Sequence, residues 1–395
     1  MKLLHTADWH IGRTLNGYSL LDEQEHTFNQ ILKLAKDEHV DGVVIAGDIY
    51  DRAVPNPEAV TALDKMLKEI NLDNHIPIYA ISGNHDSAKR LNYGREWMEQ
   101  TNFHLNTFLS EAFKPIETGD AQIFLLPFFD PLDARVYYKK QGMAEEEVKK
   151  ITTIGAAMEL VVNDMVKLFV DDKKHILVTH FAVTPNQETQ LNLTSETTSK
   201  VGGLATLTAN QFEDFDYVML GHIHTRDASP SENIRYSGSP VKFNVKEARL
   251  NKNKGVDIVT IDKKQITHQF KPLTPKTDLI VLDETWQTLC DPDFYNQQPI
   301  KKDWFAITIK DFDRTEHVQT NIRSELQKRY GTIVELDYDI NQNSVDLKNI
   351  STNLNEISPE KTVDQFFKTI TGRNLSNPQQ KLVETIFNEV ERDKK

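Results

Sequence analysis

Val43-Val44-Ile45-Ala46-Gly47-Asp48-Ile49-Tyr50-Asp51 reads as a short buried strand that breaks at a glycine and leaves carboxylates at its carboxyl end. Four other stretches repeat the pattern. Leu3-Leu4 leads into Asp8-Trp9-His10, Ile78-Tyr79-Ala80-Ile81 into Gly83-Asn84-His85-Asp86, Ile176-Leu177-Val178 into His180, and Tyr217-Val218-Met219-Leu220 into Gly221-His222-Ile223-His224. In layered α/β folds the ligand site lies beyond the carboxyl ends of the strands, so five strands deliver their polar residues to one sheet edge. The fold class is therefore α/β.

The residue types at that edge define the chemistry. Carboxylate, amide and imidazole donors without a thiolate suit divalent Mn²⁺, Fe²⁺ or Zn²⁺, and paired ions of this kind act on phosphate esters. Two neighbouring cations need an anion between them to offset their repulsion. Asp48 is the expected bridge, with Asp8, His10 and His224 completing one metal shell and Asn84, His180 and His222 the other. Gly221 is expected to allow an unusual backbone angle ahead of the paired histidines. His85, beside a ligand, is the candidate for proton transfer to the leaving oxygen. Asp86 would orient His85 or take backbone donors in its turn, and Asp51 would hydrogen-bond a metal ligand. His5, His26, His39, His75, His104, His175, His268 and His317 lack such company and are expected to be structural or surface groups. Tyr236-Ser237-Gly238-Ser239-Pro240 reads as a turn, with a place on the substrate path as the alternative.

The 395 residues suffice for more than one domain. Alternating strand-like and helical runs assign residues 1–270 to the first, with helices expected at 20–35, 57–70 and 144–170 and a hairpin at 255–270. The surfaces of the first two helices either pair two copies or pack on the sheet. Lys271-Pro272-Leu273-Thr274-Pro275-Lys276 marks a boundary. Residues 278–345 form a small module with a strand at 304–309, a helix at 316–330 and a strand at 332–338. A polar, Asn-rich run at 341–355 leads to a tail, 356–395, with two amphipathic helices that pack on their own chain or dock a partner. A single cysteine, Cys290, points to a reducing cytoplasm, and no apolar run reaches the roughly 20 residues of a membrane helix. The net charge of −13 argues against a simple nucleic-acid binder. Arg13, Arg52, Lys89, Arg90 and Arg95, close to the metal motifs, are candidate DNA contacts or ordinary solvated charge.

Longer strings carry a family resemblance: His5 to Gly12, Ile45 to Asp51, Ser82 to Ser87 with Arg90-Leu91, and Tyr236 to Pro240. They resemble the calcineurin-type metallophosphoesterases, and within them the bacterial DNA-repair nuclease subunits. The resemblance is strong over the first 270 residues and architectural beyond. It implies a four-layer α/β/β/α sandwich holding two Mn²⁺ ions. The implied activity is that of a 3′–5′ double-strand exonuclease and a single-strand or hairpin endonuclease in DNA repair, replication and recombination. It further implies a homodimer within a heterotetramer with a coiled-coil ATPase, the 278–345 module capping the site and the tail gripping the ATPase. Two departures stand out from the related protein-phosphatase string: Ala53 replaces its glycine, and Asp86 stands where those enzymes carry glutamate. The alternative is a phosphomonoesterase or cyclic-nucleotide phosphodiesterase on the same metal core.

Overall fold

The computed structural model describes residues 1–186, 188–189, 206–250, 252–310, 312, 321–339, 359–371 and 374–392. Its main strands are β1 (Lys2–Thr6), β2 (Gly42–Ala46), β3 (Ile78–Ile81), β4 (Phe103–Asn106), β5 (Ile116–Glu117), β6 (Ala121–Leu126), β7 (Lys174–His180), β8 (Tyr217–Gly221), β9 (Ile234–Tyr236), β10 (Gly255–Ile261) and β11 (Ile266–Pro272). One sheet runs β11-β10-β1-β2-β3-β4, with β1 to β4 parallel and β10 and β11 antiparallel. The second runs β9-β8-β7-β6-β5, parallel except for β5.

Side-chain alternation sets the layers. Val44 and Ala46 turn inward and meet Ile123, Ile176, Val178 and Met219 of the second sheet. Their neighbours Val43 and Ile45 turn outward onto Ile31, Leu63 and Met66 of helices Leu21–Asp37 and Pro57–Lys68. On the other side Phe124, Leu177 and Val218 meet Met158, Val161 and Met165 of helix Ile154–Val166. The result is the α/β/β/α sandwich, in which each fully buried Val, Leu or Ile contributes roughly 1.5–3 kcal/mol. Phe28, Ile31, Leu63 and Met66 of the two helices on the first sheet are buried against it, while Val60 is exposed.

Local chemistry explains the boundaries. Asn56 caps the helix at Pro57, its side-chain oxygen accepting from Ala59 N–H at 2.8 Å. The continuous helix expected at 144–170 is two helices, Glu145–Lys150 and Ile154–Val166. Ile151 leaves the helical region at ψ 76, and the Thr153 hydroxyl caps the restart by accepting from Ala156 N–H at 3.2 Å. Strand β11 continues through Pro272, two residues into the expected boundary.

Three further strands, β12 (Leu279–Thr285), β13 (Trp304–Lys310) and β14 (Ile333–Tyr338), form a sheet in chain order, with helix Ile322–Tyr330 preceding the last. The helix starts later than expected, and residues 316–320 lie outside the described set. Met1–Ile309 and His317–Asp337 form one compact unit. Within it Leu279, Ala306 and Val334 pack with Leu15, Leu20, Val241, Phe243 and Val245, and Lys242 pairs with Asp278 at 2.6 Å. The second unit, Lys310–Glu316 with Tyr338–Lys395, contains helices Pro359–Thr371 and Asn377–Arg392. Phe366, Leu382 and Ile386 on these helices are exposed. The Asn-rich run lies outside the described residues. Among those described, no helix is long and apolar enough to cross a membrane.

His5 is structural, as expected. It is fully buried on β1, its Nε2 3.2 Å from the Leu220 carbonyl. Burial pushes its pKa down to about 3, despite the carbonyl. The ring therefore takes up a proton only in the unfolded chain as pH falls below about 6.5, so stability drops until the folded ring itself titrates. Between pH 7 and 5 this group alone should remove about 2 kcal/mol of unfolding free energy. Urea titrations of the parent and of His5→Gln, whose amide can still donate to Leu220, should differ by that amount in their pH dependence. Equal losses in both proteins would refute the assignment.

Candidate metal centre

The loops after β1 and β2 are joined backbone to backbone. Asp8 N–H donates to Gly47 O at 3.0 Å and His10 N–H to Asp48 O at 2.9 Å. The loop after β8 joins them through His222 N–H, which donates to the Asp8 carboxylate at 3.0 Å. Four candidate ligands hold left-handed backbone angles: Asp8 at φ 54, His10 at 43, Asp48 at 50 and His222 at 95. Such conformations cost L-residues about 1–2 kcal/mol each, and strain of this kind gathers at functional sites. Gly221 has a different role from the one expected. A Cβ there would lie 1.9 Å from Ala46 O, so the glycine gives room for close packing, while the unusual angle falls on His222. A Cβ on Gly83 would likewise sit 2.1 Å from Asp48 Oδ1.

All seven residues expected to bind metal meet here, at the carboxyl ends of β1, β2 and β3 of the first sheet and of β7 and β8 of the second, so they come from two sheets and not from the single edge expected. Asp48 Oδ2 lies 3.5 Å from His10 Nε2 and 3.4 Å from His180 Nε2. Asn84 Oδ1 lies 3.1 Å from His180 Nε2 and 3.0 Å from His222 Nδ1. His10 Nε2 faces His224 Nε2 at 3.2 Å. Potential ligand atoms of Asp8, His10 and His224 lie within 4.8 Å of one another, as do those of Asp8, Asp48 and His180. Apart from the half-buried Asn84, each of the seven is at most 3% exposed, so bulk water cannot balance the two carboxylates.

Burial and mutual attraction push the groups of the cluster in opposite directions. Burial disfavours a charged His180, yet the Asp48 carboxylate outweighs it and raises the ring to about 9. Desolvation raises Asp8 to about 6 and depresses His10. Two imidazole nitrogens in contact can share only one proton, and the Asn84 amide oxygen, which can only accept, faces two more ring nitrogens. Carboxylate, amide and imidazole donors converging without thiolate fit hard-to-borderline divalent ions.

The surrounding groups sort themselves by contact. His85 N–H donates to Asp48 Oδ1 at 2.9 Å, and its ring Nδ1 meets the Asp51 carbonyl at 2.8 Å. The Asp51 carboxylate lies 3.8 Å from His10 Nδ1, too far for the hydrogen bond to a metal ligand that was expected, and instead pairs with Arg13 Nη1 at 3.2 Å. Asp86 accepts from the N–H groups of Ile49, Tyr50 and Gly83 at 3.0, 2.9 and 2.9 Å. Of its two expected roles, Asp86 has the backbone one, bracing the β2 loop against the β3 loop, with its carboxyl raised by desolvation to about 6. Among the five basic candidates, Arg95 is committed to the fold through Leu105 O at 2.6 Å and Glu99 at 2.7 Å. Arg13 is held between Asp51 and the Phe243 ring. Arg52, Lys89 and Arg90 are exposed.

Two groups at the centre escaped the sequence reading. Glu247, 4% exposed, has Oε1 3.5 Å from His224 Nδ1, and Lys254 meets its other oxygen at 2.6 Å. Burial would raise the Glu247 carboxyl, but Lys254 and His224 outweigh it and hold it well below the usual range. The Tyr236 to Pro240 turn lies behind His224, with Ser239 N–H donating to His224 O at 3.2 Å. Gly238, at φ 73, has no room for a Cβ, which would meet His224 O at 2.8 Å. That five-residue string was the signal the sequence offered, and it read as a turn, with a place on the substrate path as the alternative.

Residues 1–226 match the family model described as calcineurin-like phosphoesterase. The chain belongs to this family of metallophosphoesterases. A relative from Staphylococcus saprophyticus, the SbcD component of the nuclease SbcCD, is 30% identical over 387 residues, covering 98% of each chain. Its counterpart from Staphylococcus epidermidis is 30% identical over 380 residues, covering 96% of each. Within the phosphoesterases the chain is thus a member of the SbcD family.

Proposed function

We propose that the chain is a two-metal DNA nuclease subunit, a 3′–5′ double-strand exonuclease and single-strand or hairpin endonuclease that works with an SbcC-type coiled-coil ATPase. The observation that carries this reading is the meeting of seven ligand-type side chains, Asp48 among them, with Asn84 Oδ1 at 3.1 Å from His180 Nε2. Asp8, His10 and His224 would hold one ion and Asn84, His180 and His222 the other, with Asp48 shared; Mn²⁺ is the ion expected. Bound there, the ions would stabilise charge developing on phosphorus and acidify the attacking water. His85 gives its Nδ1 to the Asp51 carbonyl, so the proton it exchanges with the leaving oxygen is the one at Nε2. Asp51 pairs with Arg13 and offers its carbonyl to His85, and Asp86 keeps the two loops in register.

The remaining assignments follow from the family. The 278–345 module would select DNA at the site, and the exposed apolar residues of the 356–395 tail would grip the ATPase. Two copies would form the core of a heterotetramer in the cytoplasm. Arg52, Lys89 and Arg90 are the DNA contacts that remain open, and the acidic balance of the chain leaves much of the DNA surface to the partner.

Mn²⁺-dependent cleavage of end-labelled duplex and hairpin DNA, run beside a small phosphomonoester, tests the substrate class. DNA cleavage with the monoester untouched is the expected result. Monoester hydrolysis with intact DNA would replace the nuclease reading by a monoesterase one.

A further inference from the structure

Glu247 lies in the short helix Val245–Arg249, whose first turn is fixed by Asn244, the asparagine oxygen accepting from Glu247 N–H at 2.8 Å. An isolated carboxylate so deeply buried is costly. Lys254 balances it at 2.6 Å and also donates to His224 O at 2.9 Å and Ser239 Oγ at 2.8 Å. One lysine and one glutamate thus address His224 at its carbonyl and at its ring, on the side opposite the nitrogen that faces His10.

An ionised carboxylate only accepts, and a neutral imidazole has one N–H to give. Facing Glu247, that proton belongs on Nδ1, which leaves the lone pair on Nε2, where it points into the cluster. A ligating histidine depends on such an outer partner for its tautomer and ring orientation.

We propose that Glu247, charge-balanced by Lys254, is the positioning residue that sets the tautomer and orientation of His224, an inference that rests on the reading of His224 as a metal ligand. A pair serving the fold alone behaves differently. Apolar side chains of similar volume can replace a buried ion pair without loss of stability, so fold and metal affinity can be separated.

The test is calorimetric titration of the full chain with Mn²⁺, beside thermal unfolding of the metal-free protein. Glu247→Leu with Lys254→Met should unfold within a few degrees of the parent yet bind Mn²⁺ roughly 10–100-fold more weakly. Glu247→Gln, which keeps the shape and removes the charge, should weaken Mn²⁺ by at least roughly tenfold, and it decides the question if the double variant does not fold. His224→Ala is the reference. If it weakens Mn²⁺ binding while the Glu247 variants bind like the parent, the positioning role is wrong. The role is also overturned if affinity falls only in step with the unfolding temperature of the metal-free protein. If His224→Ala binds Mn²⁺ like the parent, the ligand reading itself fails and Glu247 has nothing to position.

Discussion

Asp48→Ala should abolish Mn²⁺-dependent DNA cleavage and loosen both ions at once. The carboxylate is 2% exposed and its Oδ2 stands about equally far from His10 Nε2 and His180 Nε2, at 3.5 and 3.4 Å. These rings belong to different candidate shells, so one deletion removes charge from both. Its Oδ1 also accepts from His85 N–H, which would lose its partner. Lewis-acid stabilisation is worth several kcal/mol, and each 1.36 kcal/mol is tenfold in rate, so a loss of at least ~10³ is expected. Asp48→Asn, which keeps the shape and an acceptor for His85, should be comparably inactive if the charge matters. Calorimetry should show two Mn²⁺ sites in the parent and weakened binding at both in the variants. A variant that still cleaves, or that loses a single site, would end the bridging assignment.

His85→Gln should separate chemistry from metal binding. The ring packs edge-on to His10 with centroids 4.7 Å apart, close enough that His10, Asp51 and His85 could themselves offer atoms to a cation. The hydrogen bond from Nδ1 to the Asp51 carbonyl commits that nitrogen to the protein, so either role, proton transfer or ligation, falls to Nε2, and the variant decides between them. The variant should keep both Mn²⁺ sites and cleave DNA ~10²–10⁴-fold more slowly, the usual worth of a general acid or base. A diester with a nitrophenolate leaving group needs little protonation and should lose much less. Loss of a Mn²⁺ site would instead make His85 a ligand, and an equal loss on both diesters would remove the proton from its account.

The strands and the candidate ligands at their ends were legible because both signals are local. Val43-Val44-Ile45 is apolar on both faces, since one face meets the second sheet and the other meets helices, and the residue that follows Gly47 can only lie at the strand end. Signals that depend on distant partners were not legible. Glu247 and Lys254 are ordinary charged residues in the sequence, and only the fold puts them behind His224. Strand β12 opens on the apolar run Leu279-Ile280-Val281-Leu282, a local signal that went unread, ahead of Asp283 and Glu284 at its half-exposed end. Helix Pro131–Lys140 went unread because only Ala134 and Tyr138 are buried along it. Gly221 was singled out for the wrong reason, because the approach of Ala46 O is a tertiary event.

The order of strands in the first sheet also bears on how the chain is made. β1, which leads to Asp8, lies between β2 and β10, so one of its edges has no partner until residue 261 has left the ribosome. At about 5–20 residues per second that interval after β2 lasts roughly ten to forty seconds, with an open strand edge inviting wrong pairing throughout. The late arrival of β10 and β11 means that the catalytic half cannot finish folding as it emerges. A minimal fragment cut at residue 226, where the family match ends, would carry the seven ligand-type residues but leave β1 exposed. A self-standing fragment has to reach Pro272.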